Sequence, residues 1–180
     1  PFYFEKRLGE LRRLKKVAGK RKSEFDYLYI NSADYFIRAG EDAIKLLYQS
    51  NYNDLVNRAR NEGIFCHHDF TYHNIICDEN KTFITNFNYS CFELKLYDIA
   101  NFLRRKMRKC NWDLKEAGII IDEYRSIEDI SKDEFLILWI MLKFPQKFWR
   151  VANRYYNSRR SWAERVYTLK LQEVIDEIDY

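Results

Sequence analysis

Along most of the chain, apolar residues recur every three or four positions, the period of a helix with one buried face. Phe36, Ala39, Ala43 and Leu47 form the clearest such face, and their spacing predicts a helix opening near Ser32. A shorter helix is expected near Asp54–Arg60, stopped by Asn61-Glu62-Gly63. Farther on, Ile99, Leu103 and Met107 share a face while Arg104, Arg105 and Arg108 lie elsewhere, and 114–124 reads as another helix. Ser131 with Glu134 three residues later is a capping box that opens an apolar helix through Leu142. Pro145 has no backbone N–H to donate, so it should kink or split that helix before the pattern resumes through Phe148, Trp149, Val151, Tyr155 and Tyr156. A last helix is expected from about Trp162 to Ile178. Residues 2–22 alternate apolar and basic positions and read either as a short helix or as a partly ordered lead-in.

The helical period breaks once. Ile64-Phe65-Cys66 is a brief apolar run, and 74–77 and 82–87 read as two strands joined by the polar turn Asp78-Glu79-Asn80-Lys81. The expectation is a mainly α chain with one small β-hairpin. Residues 1–24 would be a lead-in segment, 25–180 a helical lobe, and 64–88 the hairpin region that carries the chemistry.

Composition narrows the class. A chain of 180 residues suits one domain with a sizeable core, and 47% hydrophobic with 32% charged residues is a globular balance. Only 5 Gly and 2 Pro favour helices over turn-rich sheet. The net charge is +4, with basic residues clustered at 6–22, at 104–109 and from Lys143 through Arg160, and with acids near the end (Glu173, Asp176, Glu177, Asp179). These read as solvated helix faces rather than a nucleic-acid surface, because no binding motif accompanies them. Cys66, Cys77, Cys91 and Cys110 form no C-x-x-C pair, so zinc is not expected and they read as reduced thiols of a protein made in the cytoplasm. The first residues lack the uninterrupted apolar core of a signal peptide. Phe135–Leu142 is the longest apolar run and is too short to cross a bilayer, so no membrane role is expected.

The chemistry concentrates in His67-His68-Asp69-Phe70-Thr71-Tyr72-His73-Asn74. This is H-x-D-x-x-x-x-N, the frame of a kinase catalytic loop, in which the Asp takes a proton from the attacking hydroxyl and the Asn binds a metal. The order loop, strand, turn, strand then delivers Asn86 to the same place as Asp69 and Asn74. Alone, Asp69 would more simply cap or bridge backbone amides; with Asn74 at this spacing, the catalytic frame is the better reading. His67 is assigned a structural role, hydrogen-bonding backbone near the Asn86 turn. His68 and His73 are read as loop histidines rather than a metal pair. Asp98 is expected to cap the helix it precedes, to tether the loop, or both.

The segments 66–76, Ile84-Thr85-Asn86-Phe87-Asn88-Tyr89, 96–102, Phe144-Pro145-Gln146-Lys147-Phe148-Trp149 and Asn153-Arg154-Tyr155-Tyr156 resemble the spore coat protein S family, from about Phe25 to the C-terminus. That resemblance implies the protein kinase-like fold of aminoglycoside and choline phosphotransferases, here as a C-terminal lobe with the N-terminal lobe missing. It implies that Asp69 stands at the base position and Asn74 at a metal position. Asn86 stands where the family has a magnesium-chelating Asp, and Asn88 where a second acid is frequent. An Asn offers a carbonyl oxygen without charge, and hard divalent cations bind such a set more weakly. The chain also has no Gly-rich loop and no Lys–Glu pair for nucleotide. The resemblance therefore implies a degenerate phosphotransferase serving as a structural or assembly component of a spore coat. It would need no cofactor as this chain, and its partners would be other coat proteins, itself, or an N-lobe. The competing reading is an active ATP- and magnesium-dependent phosphotransferase acting on an amino-alcohol or aminoglycoside-type hydroxyl, with its N-lobe supplied from outside this chain.

Overall fold

A computed structural model of the chain describes residues 1–158 and 163–179. It divides into two compact units, Pro1–Tyr48 with Lys143–Tyr180, and Gln49–Leu142.

The first unit is helical. Helix α1 (Phe2–Ala18) buries Leu8, Leu11, Leu14 and Ala18, one face at three- and four-residue spacing. Helix α2 (Glu24–Gln49) adds Phe25, Tyr29, Ala33, Phe36 and Ile37 to the same core. So do Phe148, Val151 and Ala152 of α7 (Gln146–Asn157) and Tyr167, Leu171 and Val174 of α8 (Glu164–Asp176). The Phe148 ring stacks on those of Phe36 and Tyr29, with centroids 4.0 and 5.2 Å apart. The Tyr29 hydroxyl donates to the Leu11 carbonyl at 3.0 Å, which satisfies the polar end of a fully buried ring. Close packing at Gly40 seats α1 on α2: a Cβ there would lie 3.1 Å from Leu8 Cδ1.

Two sequence expectations change here. Residues 1–24 are not a lead-in: α1 is a core helix, because its leucine face meets α2, α7 and α8. Helix α2 opens at Glu24 rather than near Ser32. Ser23 and Asp26 cap it reciprocally, Asp26 N–H donating to Ser23 Oγ at 3.2 Å and Ser23 N–H to Asp26 Oδ2 at 3.0 Å. The last helix begins at Glu164; Trp162, Arg159 and Arg160 lie outside the described residues.

The second unit holds α3 (Tyr52–Asn61), two small sheets, α4 (Leu96–Lys109), α5 (Leu114–Ile127) and α6 (Lys132–Lys143). Gly63, at φ +70°, takes the chain out of α3 into strand β1 (Phe65–Cys66). Strands β2 (Ile75–Asp78) and β3 (Lys81–Ile84) form the expected hairpin, in register from Ile75↔Ile84 to Asp78↔Lys81. It is shorter than expected: Asn74 lies in a 3-10 turn before it, and residues 85–87 have left the strand. A second sheet pairs β1 with β4 (Cys91–Phe92), Cys66 opposite Cys91. Ser131 and Glu134 make the predicted capping box of α6, with Ser131 N–H to Glu134 Oε2 at 3.0 Å and Glu134 N–H to Ser131 Oγ at 3.2 Å. Pro145 splits rather than kinks the run, since α6 ends at Lys143 and α7 starts at Gln146.

Candidate functional site

One face of α4 organises the loop. Asp98, Phe102, Arg105 and Lys109 lie four, three and four residues apart, so they line up along one side of the helix. Each meets the segment 67–72. The Asp98 carboxylate accepts from the backbone N–H of His67 at 2.6 Å and of His68 at 2.8 Å. Phe102 packs on Phe70, ring centroids 5.9 Å apart. Arg105 Nη2 lies 3.8 Å from Asp69 Oδ1, and Lys109 Nζ sits 4.1 Å above the Tyr72 ring. Asp98 is thus inside the first turn of α4 and does not cap it; no side chain caps that helix start.

Holding two successive amides on one carboxylate forces a tight local path. His68 is left-handed at φ +66°, an uncommon conformation for a residue with a Cβ, and its ring stacks on Tyr97 at 4.0 Å. His67 is buried and bridges the loop to the hairpin. One ring nitrogen, Nδ1, accepts from Asp69 N–H at 3.2 Å, so the other, Nε2, carries the proton and donates to the Thr85 carbonyl at 2.9 Å. The ring also packs against Phe87, 4.7 Å away.

The four polar side chains singled out by sequence converge in a directed relay. Asn74 Nδ2 donates to the Asp69 carbonyl at 2.8 Å and to Asp69 Oδ2 at 3.0 Å. Both partners are acceptors, so the amide orientation of Asn74 is determined and its Oδ1 faces away, towards Asn86. Asn86 must then present its NH2, which donates to Asn74 Oδ1 over a long 3.4 Å. That leaves Asn86 Oδ1 to accept from Asn88 Nδ2 at 2.9 Å. Asn86 holds φ +66°, ψ +56°, a left-handed setting that Asn tolerates better than most residues. Thr85 N–H donates to the Asn74 carbonyl at 2.9 Å and closes the base of the relay.

Other candidates separate from this cluster. His73 is exposed, its ring 3.9 Å from Tyr72. Cys66 is buried beside the loop; burial, with the Asp98 charge adding to it, pushes its thiol well above the ordinary range, so it stays protonated and is no nucleophile. Among the described residues no group of three or more His, Cys, Asp or Glu side chains could hold a metal ion. Behind the loop lies an apolar cavity of about 520 Å³, walled by Phe65, Phe70, Ile84, Phe87 and Phe102 and by Tyr124 of α5. Arg105, Lys109, Tyr72 and Thr85 belong to the site, and motif reasoning did not single them out. The signal for the two cations was present, in their helical spacing from Asp98.

Comparison with known proteins bears on the fold and the family. A solved structure, the aminoglycoside phosphotransferase from Alicyclobacillus acidocaldarius subsp. acidocaldarius DSM 446, superposes with a TM-score of 0.88 at 23% identity, covering 98% of this chain and 53% of that one. The fold is therefore that of the C-terminal lobe of a phosphotransferase-type kinase. Spore coat protein S of Bacillus subtilis (strain 168) is 25% identical over 153 residues, which is 84% of this chain and 44% of that protein. The endospore coat-associated protein YutH of the same organism is 23% identical over 148 residues, 82% of this chain and 42% of its own length. The chain thus spans less than half the length of these relatives. Residues 2–180 match the family described as spore coat putative kinase YutH, and the chain belongs to that family.

Proposed function

We propose that this chain is a kinase-like component of a bacterial spore coat whose phosphate-handling loop is retained while its grip on magnesium is neutralised, leaving a structural or assembly role. The observation that carries the reading is the direction of the amide relay. In a working site, oxygens at positions 74 and 86 would both face a cation. Here the Asn86 NH2 stands against Asn74 Oδ1, so position 86 offers a hydrogen-bond donor where a residue holding magnesium would have to offer an oxygen. Each carbonyl oxygen already accepts one hydrogen bond, and neither position adds negative charge. The residues present do not fit magnesium, and no phosphoryl-transfer step is assigned to them.

A second reading keeps catalysis. Asp69 retains its hydrogen-bonded link to Asn74, and the loop is held by Asp98, so a lobe elsewhere in a longer protein would find the base position in order. In that reading Asp69 would be the group to accept the proton of a small-molecule hydroxyl, and Asn74 and Asn86 would be the residues to hold magnesium with ATP. The name and family of the relatives support the coat assignment. The exposed rings of Phe65, Phe87, Tyr89 and Phe92 are suited to contacts with other coat proteins or a second copy.

The two readings separate on metal. With ATP held constant, adding magnesium leaves the melting temperature of this chain unchanged if the site is neutralised, and a clear magnesium-dependent rise defeats that proposal. Asn86→Asp breaks the relay, placing a carboxylate oxygen opposite Asn74 Oδ1. Calorimetric titration with manganese should then show binding that the parent lacks; an unchanged titration would remove Asn86 from the metal position.

A further inference from the structure

We propose that the flank of the Asp69 loop facing α4 binds an oxyanion carried by a hydroxyl compound, with Arg105 as principal ligand and Lys109 as second. The proposal rests on reading Asp69 as the acceptor side of an inherited phosphotransfer site, but not on whether magnesium binds or transfer survives.

The guanidinium of Arg105 is underused. Arg105 is only about one-third exposed, at 33% of its side-chain surface, and it points at Asp69 from 3.8 Å. That distance is an ion-pair approach, yet it lies outside the 2.7–3.2 Å of a hydrogen bond. Asp69 directs its other oxygen to Asn74. Among the described residues, Asp69 is the one carboxylate within 4.0 Å of Arg105. The planar fork of donors thus stands beside the base position with its bidentate capacity open.

One helical turn farther, Lys109 adds a second cation over the Tyr72 ring at 4.1 Å. Its neighbour along the helix, Lys106, is turned to Glu116 at 2.8 Å and does not contribute. The flank therefore presents two positive groups beside Asp69, while the other carboxylate on this side of α4, Asp98, is turned to the His67 and His68 amides. An acceptor whose oxyanion lies across Arg105 and Lys109 has its hydroxyl delivered to Asp69. A cationic acceptor of the amino-alcohol or aminoglycoside kind would have to approach against both cations. The chemistry recognised is a small phosphate or carboxylate bearing a free hydroxyl, the reverse charge of the acceptors considered from resemblance.

The test uses the whole chain without divalent metal or nucleotide, at fixed ionic strength. Binding of glycerol 3-phosphate, glycerate and choline is followed by isotope-edited NMR of the loop amides. Saturable binding of either anion, with none of choline, is expected, and the two anions distinguish a phosphate from a carboxylate ligand. Arg105→Gln should weaken the anion at least tenfold, and Lys109→Gln a few-fold. Asp69→Asn should tighten it several-fold by removing the competing carboxylate, a gain that a misfolded variant cannot mimic. Choline binding without anion binding, or anion affinity unmoved by both Arg105→Gln and Asp69→Asn, would overturn the proposal. Because no metal is present, its failure is separate from that of the neutralised magnesium site, which the manganese titration reads.

Discussion

Replacing Asp98 by Asn keeps the shape of the side chain and removes what holds the loop. In the parent, two carboxylate oxygens accept two successive N–H groups at 2.6 and 2.8 Å. The variant has one carbonyl oxygen for the two amides, and its NH2 must face the other N–H, donor against donor. One charge-assisted bond is worth about 1.5–3 kcal/mol, and a partly buried N–H left without an acceptor costs about 1–3 kcal/mol. Together the loop should lose about 3–5 kcal/mol, leaving the left-handed turn at His68 to lean on the stacking of its ring on Tyr97. At about 1.4 kcal/mol per decade, hydrogen exchange at the His67 and His68 amides should speed up by roughly a hundredfold to a few thousandfold. Asp113→Asn is the control. Asp113 caps α5 through Lys115 N–H at 3.0 Å, and Asn caps as well as Asp, so the change there should stay below about 1 kcal/mol. Acceleration under tenfold at both histidine amides would refute the claim that Asp98 anchors the loop.

Three further outcomes follow from the packing. Leu11→Ala removes a fully buried side chain of α1 and should destabilise the helical unit by about 2–5 kcal/mol in urea titration; a cost below about 1 kcal/mol would restore α1 to a peripheral segment. Tyr52 has its hydroxyl pushed up to about 12, first by burial and then by the Glu93 charge, with Tyr97 adding and Arg60 opposing. Its folded value lies above the ordinary 10.0, so its contribution is complete below pH 10 and is lost as pH climbs towards 12. Tyr52→Phe should therefore flatten the alkaline stability loss in that window, and an identical profile would reject the assignment. Gly118, in the interior of α5 with open space around an added Cβ, should gain about 0.5–1 kcal/mol as Ala by thermal melting; a loss would mean that α5 is not a regular helix there.

Much of the local structure was legible because it depends on neighbours in the chain. The 99/103/107 face of α4, the Ser131–Glu134 box, the stop at Gly63 and the split at Pro145 each express a few adjacent residues. The meeting of Asp69, Asn74 and Asn86 was legible for the same reason: Asp69 and Asn74 are five residues apart, and a short hairpin sets Asn86 beside them. What stayed hidden depends on distance along the chain. Strands β1 and β4 are two residues each, too short to show any period, and they exist because residues about 25 positions apart are brought together. The α1 leucines looked like a lead-in because their partners on α7 and α8 lie more than a hundred residues away. The same holds at the site. Residue types and spacing alone specified that an acid and two amides, Asp69, Asn74 and Asn86, would gather; Asn88 entered only through the resemblance. Only the tertiary structure decided that the amides point oxygen to NH2 along the relay, and that α4 sets Asp98 under the loop and Arg105 beside the acid. Hydrogen-bond direction and the approach of charges are properties of three-dimensional neighbours, which a linear pattern does not carry.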